Sequence, residues 1–155
     1  MPNQNGLFLL DDTIVKHLVF QIGEVRCGID ILGIEGINWV PAITPVFGAP
    51  DYVKGLLNLR GQLVTVFDLG KRLGLEECQL SKKSRIIIIK QDMEYIGLLV
   101  DSVSEVISSQ LNSVEPPPAN TIEPQATFFS GILNMENKLT TILNIEEITR
   151  VSELA

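Results

Sequence analysis

Gly55-Leu-Leu-Asn-Leu-Arg-Gly-Gln-Leu-Val-Thr-Val-Phe-Asp-Leu69 is the stretch from which the fold is read. Two short apolar runs flank the dipeptide Arg60-Gly61. The first is Leu56, Leu57, Leu59; the second is Leu63, Val64, Val66, Phe67. Each is too short for a helix and has strand composition. A two-residue break with Gly second signals a tight hairpin, because glycine tolerates the positive φ that such turns need. A charged arginine is therefore expected at an exposed tip between two buried legs.

The same stretch recurs. Gly131-Ile-Leu-Asn-Met-Glu-Asn-Lys-Leu-Thr-Thr-Ile-Leu-Asn-Ile145 lies over it with five identical positions. Asp68 and Asn144 are both able to cap a following helix. Gly61 and Asn137 both accept positive φ. Upstream, Gly28-Ile29-Asp30-Ile31 with Ile34 and Ile37 lies over Gly97-Leu98-Leu99-Val100 with Val103 and Val106. The chain therefore reads as two copies of one β-rich unit, residues 18–74 and 85–149. Units of about 60–75 residues have marginal cores alone, so the copies are expected to pack together and share apolar surface. About five short strands per copy suit a small closed barrel, which hides its edges.

The remaining segments fit that frame. Leu18–Ile22 and Val25–Ile29 read as strands joined at Gly23-Glu24. Ile31, Ile34 and Ile37 fit a helical turn or a bulged strand, with Gly33 and Gly36 against the helix. Pro41, Pro45, Gly48 and Pro50 mark an irregular connection. Asp51–Lys54 reads as one helical turn. Asp68 opens a short helix that Gly74 ends. Glu76–Ser84 is polar and reads as a linker. Ile86–Ile89 reads as a strand buried on both faces; Lys82, Lys83, Arg85 and Lys90 around it read as a charged rim. Tyr95–Val100 is a further strand and Pro116–Pro118 a stiff loop. Asn144 with Glu147 resembles a capping box, opening a helix expected to reach Val151. Met1–Asn5 reads as a loose start.

Composition removes several function classes. The net charge of −7 argues against a nucleic-acid partner. No apolar run approaches the ~18–20 residues of a membrane span, so no membrane insertion is expected, and no secretion signal precedes the first strand. Two distant cysteines, Cys27 and Cys78, read as reduced thiols of a cytoplasmic protein. With His17 as the one histidine, neither a zinc site nor a Ser-His pair is expected, and no cofactor.

The ordered set Gly28-Ile-Asp-Ile31, Asn58-Leu-Arg-Gly61, Val66-Phe-Asp-Leu69, Gly97-Leu-Leu-Val-Asp101 with Val103 and Val106, and Pro116–Pro118 resembles CheW-like domains. The resemblance spans Val15–Ile148. It implies a single domain over residues 15–150: all-β with short helices, made of two SH3-like five-stranded β-barrels related by a pseudo-two-fold, with strands open to exchange between them. It also implies a non-catalytic chemotaxis adaptor, which links methyl-accepting chemoreceptor tips to the regulatory domain of the histidine kinase CheA at membrane-associated arrays. On the family's pattern, the binding candidates are Arg60, Gly55, Ile34, Glu35, Val103 and Val106. Two places depart from it. An acidic residue usual before the isoleucine equivalent to Ile37 is Gly36 here, with Glu35 beside it, and a usual proline is Thr65. These leave open a scaffold of a twitching-motility or other chemosensory pathway.

Two other function classes have partial signals in the chain. A small hydrolase or transferase would use Asp30, Asp68 and Asp101, but each has a capping or turn role at hand. An SH3-like peptide binder needs clustered aromatics, which one Trp, two Tyr and six Phe scattered along the chain do not provide.

Overall fold

The computed structural model describes residues 13–150. The expectations for Met1–Asn5 and for a helix end at Val151 fall outside them. The first repeat supplies β1 (Ile14–Ile22), β2 (Val25–Asp30), β3 (Ile34–Asn38), β4 (Val53–Leu59), β5 (Gln62–Asp68) and helix α1 (Leu69–Arg72). The second supplies β6 (Arg85–Gln91), β7 (Glu94–Val100), β8 (Ser102–Gln110), the two-residue β9 (Val114–Glu115), α2 (Gln125–Phe128), β10 (Phe129–Met135), β11 (Lys138–Leu143) and α3 (Ile145–Thr149).

The repeat holds in atomic detail. In the β4–β5 hairpin Gly55 faces Val66, Leu57 faces Val64 and Leu59 faces Gln62. In β10–β11 Gly131 faces Ile142, Leu133 faces Thr140 and Met135 faces Lys138. Arg60 and Gly61 have φ of 54° and 83°; Glu136 and Asn137 have 52° and 65°. Positive φ at both central residues is the tight-turn geometry the sequence suggested. The Asn58 side chain accepts from the Gly61 N–H and closes the first tip. Asp68 and Asn144 cap α1 and α3, accepting from Lys71 N and Glu147 N.

The strands are nonetheless not sorted by repeat. One sheet runs β3-β6-β7-β5-β4 and the other β8-β1-β2-β11-β10-β9. Exchanging matched strands turns one order into the other. Each repeat thus gives its first hairpin to the sheet built around the other repeat's last hairpin. The joints are two parallel pairings, β5 with β7 and β2 with β11. Each sheet also closes: the chain leaving β3 returns at Thr44 to pair with Leu56 of β4, and the chain leaving β8 returns as β9 to pair with Ile132 of β10.

The four isoleucines of β6 are buried on both faces, as expected for two-sided packing. Ile87 and Ile89 enter the large core between the sheets, with Leu18, Phe20 and Ile29 from one side and Phe67, Ile96 and Leu98 from the other. Ile86 and Ile88 fill the inside of their own barrel with Leu57, Val64, Val66 and Leu99.

Two local expectations fail. Asp51–Lys54 is not a helical turn: Val53 and Lys54 already belong to β4, with Val53 opposite Phe67. Asp51 and Tyr52 form a turn closed by Val53 N donating to the Pro50 carbonyl, and the Tyr52 ring meeting Phe67 edge-on at 5.0 Å, with the Tyr52 carbonyl accepting from Asp68 N, leads the chain from that turn straight into the strand. Glu76–Ser84 does not link two bodies. It joins α1 to β6 within the reach of one sheet, and buried Cys78 pins it by donating its N–H to the Asp68 carboxylate. The segment Ile31–Ile37 resolves as a turn, closed by Ile34 N donating to the Ile31 carbonyl, followed by a bulged strand with its register shift between Ile34 and Gly36.

Gly55 and Gly131 sit where each barrel closes. A Cβ on Gly55 would stand 2.2 Å from the Thr44 carbonyl oxygen, and one on Gly131 would stand 2.8 Å from that of Glu115. Gly55 also takes φ +150°, which other residues avoid. Gly55→Ala should therefore destabilise by more than about 2 kcal/mol, and Gly131→Ala by a lesser but clear amount, read as denaturant midpoints. Wild-type midpoints for both would remove the close approach as the reason for glycine.

Candidate functional site

Arg60 at the first tip is exposed, and among the described residues no ion pair involves it. Beside it lies a depression of about 370 Å³. Its walls include Glu35, Gly36 and Ile37 of β3, and Ile88 and Tyr95 lie on its other side. The repeat explains why it is open. By strand register, Gly36 of β3 (opposite Ile88) matches Glu105 of β8 (opposite Val19), and Tyr95 matches Arg26. At the second site Glu105 and Arg26 form an ion pair at 3.2 Å, and Arg26 Nε also donates to the Thr140 hydroxyl. At the first site Gly36 and Tyr95 stand in place of that ion pair, and the glycine puts no side chain into the depression.

The other candidates fall into two groups. Ile34 and Val103 are repeat mates, facing Ile89 and Phe20, and both pack partly buried against the shared core from opposite sheets. Val106 is 53% exposed; its mate Ile37, in the wall of the depression, is 44% exposed. Glu35 is exposed near Arg60 but makes no ion pair with it. Gly55 is buried at the barrel closure, so its visible contribution is to hold the hairpin in place. The depression thus brings Glu35 and Arg60 together, while Val103 and Val106 lie on the other sheet. Sequence reasoning passed over Tyr95, which only the parallel β5–β7 pairing brings in. It also passed over Ile37, which the match with Val106 was enough to flag.

The carboxylates of the rival enzyme reading serve the backbone. Asp30 accepts from Leu32 N, Asp68 from Lys71 N and Cys78 N, and Asp101 from Gly23 N. Among the described residues no group of His, Cys, Asp and Glu is placed to hold a metal, and no helix is long and apolar enough to cross a membrane. Burial pushes the Cys27 thiol up to about 12. Burial, helped by Asp101 and Asp68, pushes Cys78 to about 12 as well, so both are poor nucleophiles.

The CheW-like domain family matches residues 16–153. The chain belongs to that family. The Chemotaxis protein CheW of Bacillus subtilis is 31% identical over 134 residues, covering 86% of this chain and 85% of that one. The CheW of Klebsiella aerogenes is 26% identical over 90% of this chain and 84% of its own length. Protein PilI of Pseudomonas aeruginosa is 31% identical over a shorter stretch, 62% of this chain and 54% of that protein. The crystal structure of the scaffolding protein TtCheW from Thermoanaerobacter tengcongensis superposes with a TM-score of 0.81 at 34% identity, over 90% of both chains. The fold is thus the CheW-like pair of SH3-like β units, and the chain is a non-catalytic protein of the CheW scaffold family.

The titratable outlier is His17. It is 5% exposed, and its Nδ1 has no hydrogen-bond partner among the described residues. Its register opposite Asp30 matches Ile86 opposite Leu99, so it stands where the other barrel has isoleucine. Burial lowers its pKa, and Asp30 opposes this more weakly. A histidine held neutral by the fold costs stability as pH falls below its unfolded value of 6.5. Denaturant unfolding at pH 8 and pH 5.5 should show the wild type losing more stability on acidification than His17→Ile. Equal losses would show that protonation of His17 is not resisted by folding.

Proposed function

We propose that this protein is a chemotaxis coupling adaptor that joins methyl-accepting chemoreceptor tips to the regulatory domain of the histidine kinase CheA. Membership of the CheW family supports this reading, and one observation carries it to specific residues. Arg60 is an unpaired cation over a depression that Gly36 leaves open, beside the exposed edge of Ile37. An unpaired arginine next to apolar surface suits a partner that brings a carboxylate and an apolar side chain. On this reading Arg60, Glu35 and Ile37 form one contact region. Val103 and Val106, on the other sheet, form another, while Ile34 packs on the shared core beside Glu35 and Gly55 holds the first region in shape. Residues 15–150 act as one domain, because strand exchange leaves neither repeat a barrel of its own.

The mechanism is geometric. Two modest interfaces on one rigid body raise the effective concentration of kinase at receptor. Receptor state then biases the kinase through those contacts. The protein works in the cytoplasm, recruited to membrane-associated receptor arrays. The likeness to PilI favours a second reading, in which the same scaffold serves another chemosensory pathway; which kinase regulatory domain it captures separates the two.

Arg60→Glu, assayed separately against receptor tips and the CheA regulatory domain, tests the assignment. Folding should survive, since the tip is exposed, and one of the two affinities should drop at least about tenfold, the scale of one lost charge-assisted contact. Glu136→Arg at the matched tip should leave both unchanged. Unchanged binding by Arg60→Glu would make the arginine a solvated turn residue. No binding of either partner by the wild type at tens of micromolar would end the coupling reading.

A further inference from the structure

A second cationic feature lies apart from the Arg60 depression and shares no lining residue with it. The Arg85 guanidinium stacks 4.0 Å from the centre of the Trp39 ring, which is itself 71% exposed. Between them and the Ser81–Ser84 turn is a cleft of about 440 Å³, lined by Trp39, Val40, Ser81, Lys82, Ser84 and Arg85. No acidic residue lines it. Lys82 and Lys83 are exposed on the same turn.

The turn is ordered by its own hydrogen bonds. Ser81 N donates to the Ser84 hydroxyl, Ser84 N to the Ser81 carbonyl and Lys83 N to the Ser81 hydroxyl. It presents the carbonyls of Lys82 and Ser84, which accept from Arg85 Nη1 at 2.8 and 2.7 Å. One face of the guanidinium is covered by the indole and one nitrogen is held by carbonyls. Among the described residues, the edge formed by Nε and Nη2 carries no hydrogen bond. That edge is the side-on fork that takes a carboxylate with two parallel bonds, and stacking fixes its direction.

We propose that the Trp39–Arg85 cleft is a docking site for an acidic segment of a partner protein. A Glu or Asp of that segment takes the free edge of Arg85. Neighbouring acids face Lys82 and Lys83, and the aliphatic part of the segment lies on the open Trp39 ring. Charge complementarity selects this occupant. The cluster is the one place where three cations fall within four residues of a chain whose net charge is −7. A polyanionic nucleic acid would meet this small patch and be repelled by the rest of the molecule.

Trp39 is the chain's single tryptophan, so its fluorescence reports the cleft directly. The probe is a synthetic peptide of alternating Glu and Leu, titrated into the full chain at low salt. A saturable change in Trp39 emission is expected. The affinity should weaken about tenfold in Arg85→Ala, less in Arg85→Lys, which keeps charge without the fork, and further as salt is raised. Lys82→Glu, an exposed change that leaves the strand intact, should weaken it too. The proposal is overturned if wild-type emission does not saturate, or if a Lys-Leu peptide gives the same response. Tighter binding of an oligothymidylate or of anionic lipid vesicles overturns it as well, as does full affinity in both Arg85→Ala and Lys82→Glu.

Discussion

The structure depends on two parallel strand pairings, β2 against β11 and β5 against β7. Each joins a strand of one repeat to a strand of the other, in the same register: Gly28 lies opposite Ile142 and Gly97 opposite Val66. These are the only parallel contacts in sheets otherwise antiparallel among the described residues. Without them each sheet divides into separate hairpin fragments, and the large shared core loses one wall. A further tie crosses at the C-terminal end. Arg72 of α1 lies over the rings of Tyr52 and Phe128, at 4.2 and 4.8 Å, and donates to the carbonyls of Ile148, Glu147 and Arg150 at the end of α3. Burial lowers its pKa, with Tyr52 and Glu147 opposing, and the carbonyls supply the hydrogen bonds that a half-buried guanidinium needs.

On this symmetric frame the two barrels have diverged in opposite senses. The barrel that carries Arg60 is apolar inside, with Val64, Ile86 and Leu99 at positions where its counterpart has Thr140, His17 and Asp30. At the tips the balance reverses. On the strands beside the tips, the counterpart has the Arg26–Glu105 pair where the Arg60 barrel has Tyr95 and Gly36, and the tips themselves carry opposite charges, Arg60 against Glu136. An apolar interior gives firm packing, and the Asp68 carboxylate buried beside it is satisfied by backbone N–H groups, so an unpaired surface charge is held on a firm base. The matched tips share the same positive-φ backbone, so turn strain does not distinguish them; charge and the missing side chain at position 36 do.

What was legible in the sequence was what local chemistry writes. The hairpins follow from Arg60-Gly61 and Glu136-Asn137, the caps from Asp68 and Asn144, and the two-sided burial of β6 from four successive isoleucines. The repeat was legible because hairpin legs constrain residue types on both copies. The exchange was not, because a parallel pairing between strands that no tight turn connects leaves no turn signal between them. The same blindness hid Tyr95 behind β5, and the long connection between β3 and β6 hid the stacking of Arg85 on Trp39. Glu76–Ser84 misled for another reason: its side chains are polar, but the Cys78 N–H bonded to Asp68 fixes it, and backbone hydrogen bonding does not show in composition. Of the site, Arg60 and Glu35 were readable from charge at a turn and an edge. The opening beside them was not, since it is made by a side chain that Gly36 lacks.

Strand exchange also bears on how such a scaffold is able to hold two partners at a fixed angle. Two barrels joined by a flexible linker would let each interface reorient, and the effective concentration gained by tethering would be spread over many geometries. Here no linker separates them. Moving one barrel against the other means breaking β2 from β11, β5 from β7, or the core in which Phe20, Phe67 and Ile87 meet. The Arg60 tip and the core margin where Ile34 and Val103 pack are therefore held by one body. On the proposed coupling role, a partner's displacement at one of them would turn the whole instead of being absorbed between halves. In the coupling role proposed for this protein, rigidity of that kind is what lets a non-catalytic chain carry a signal, and it originates in the pairings that interleave the two repeats.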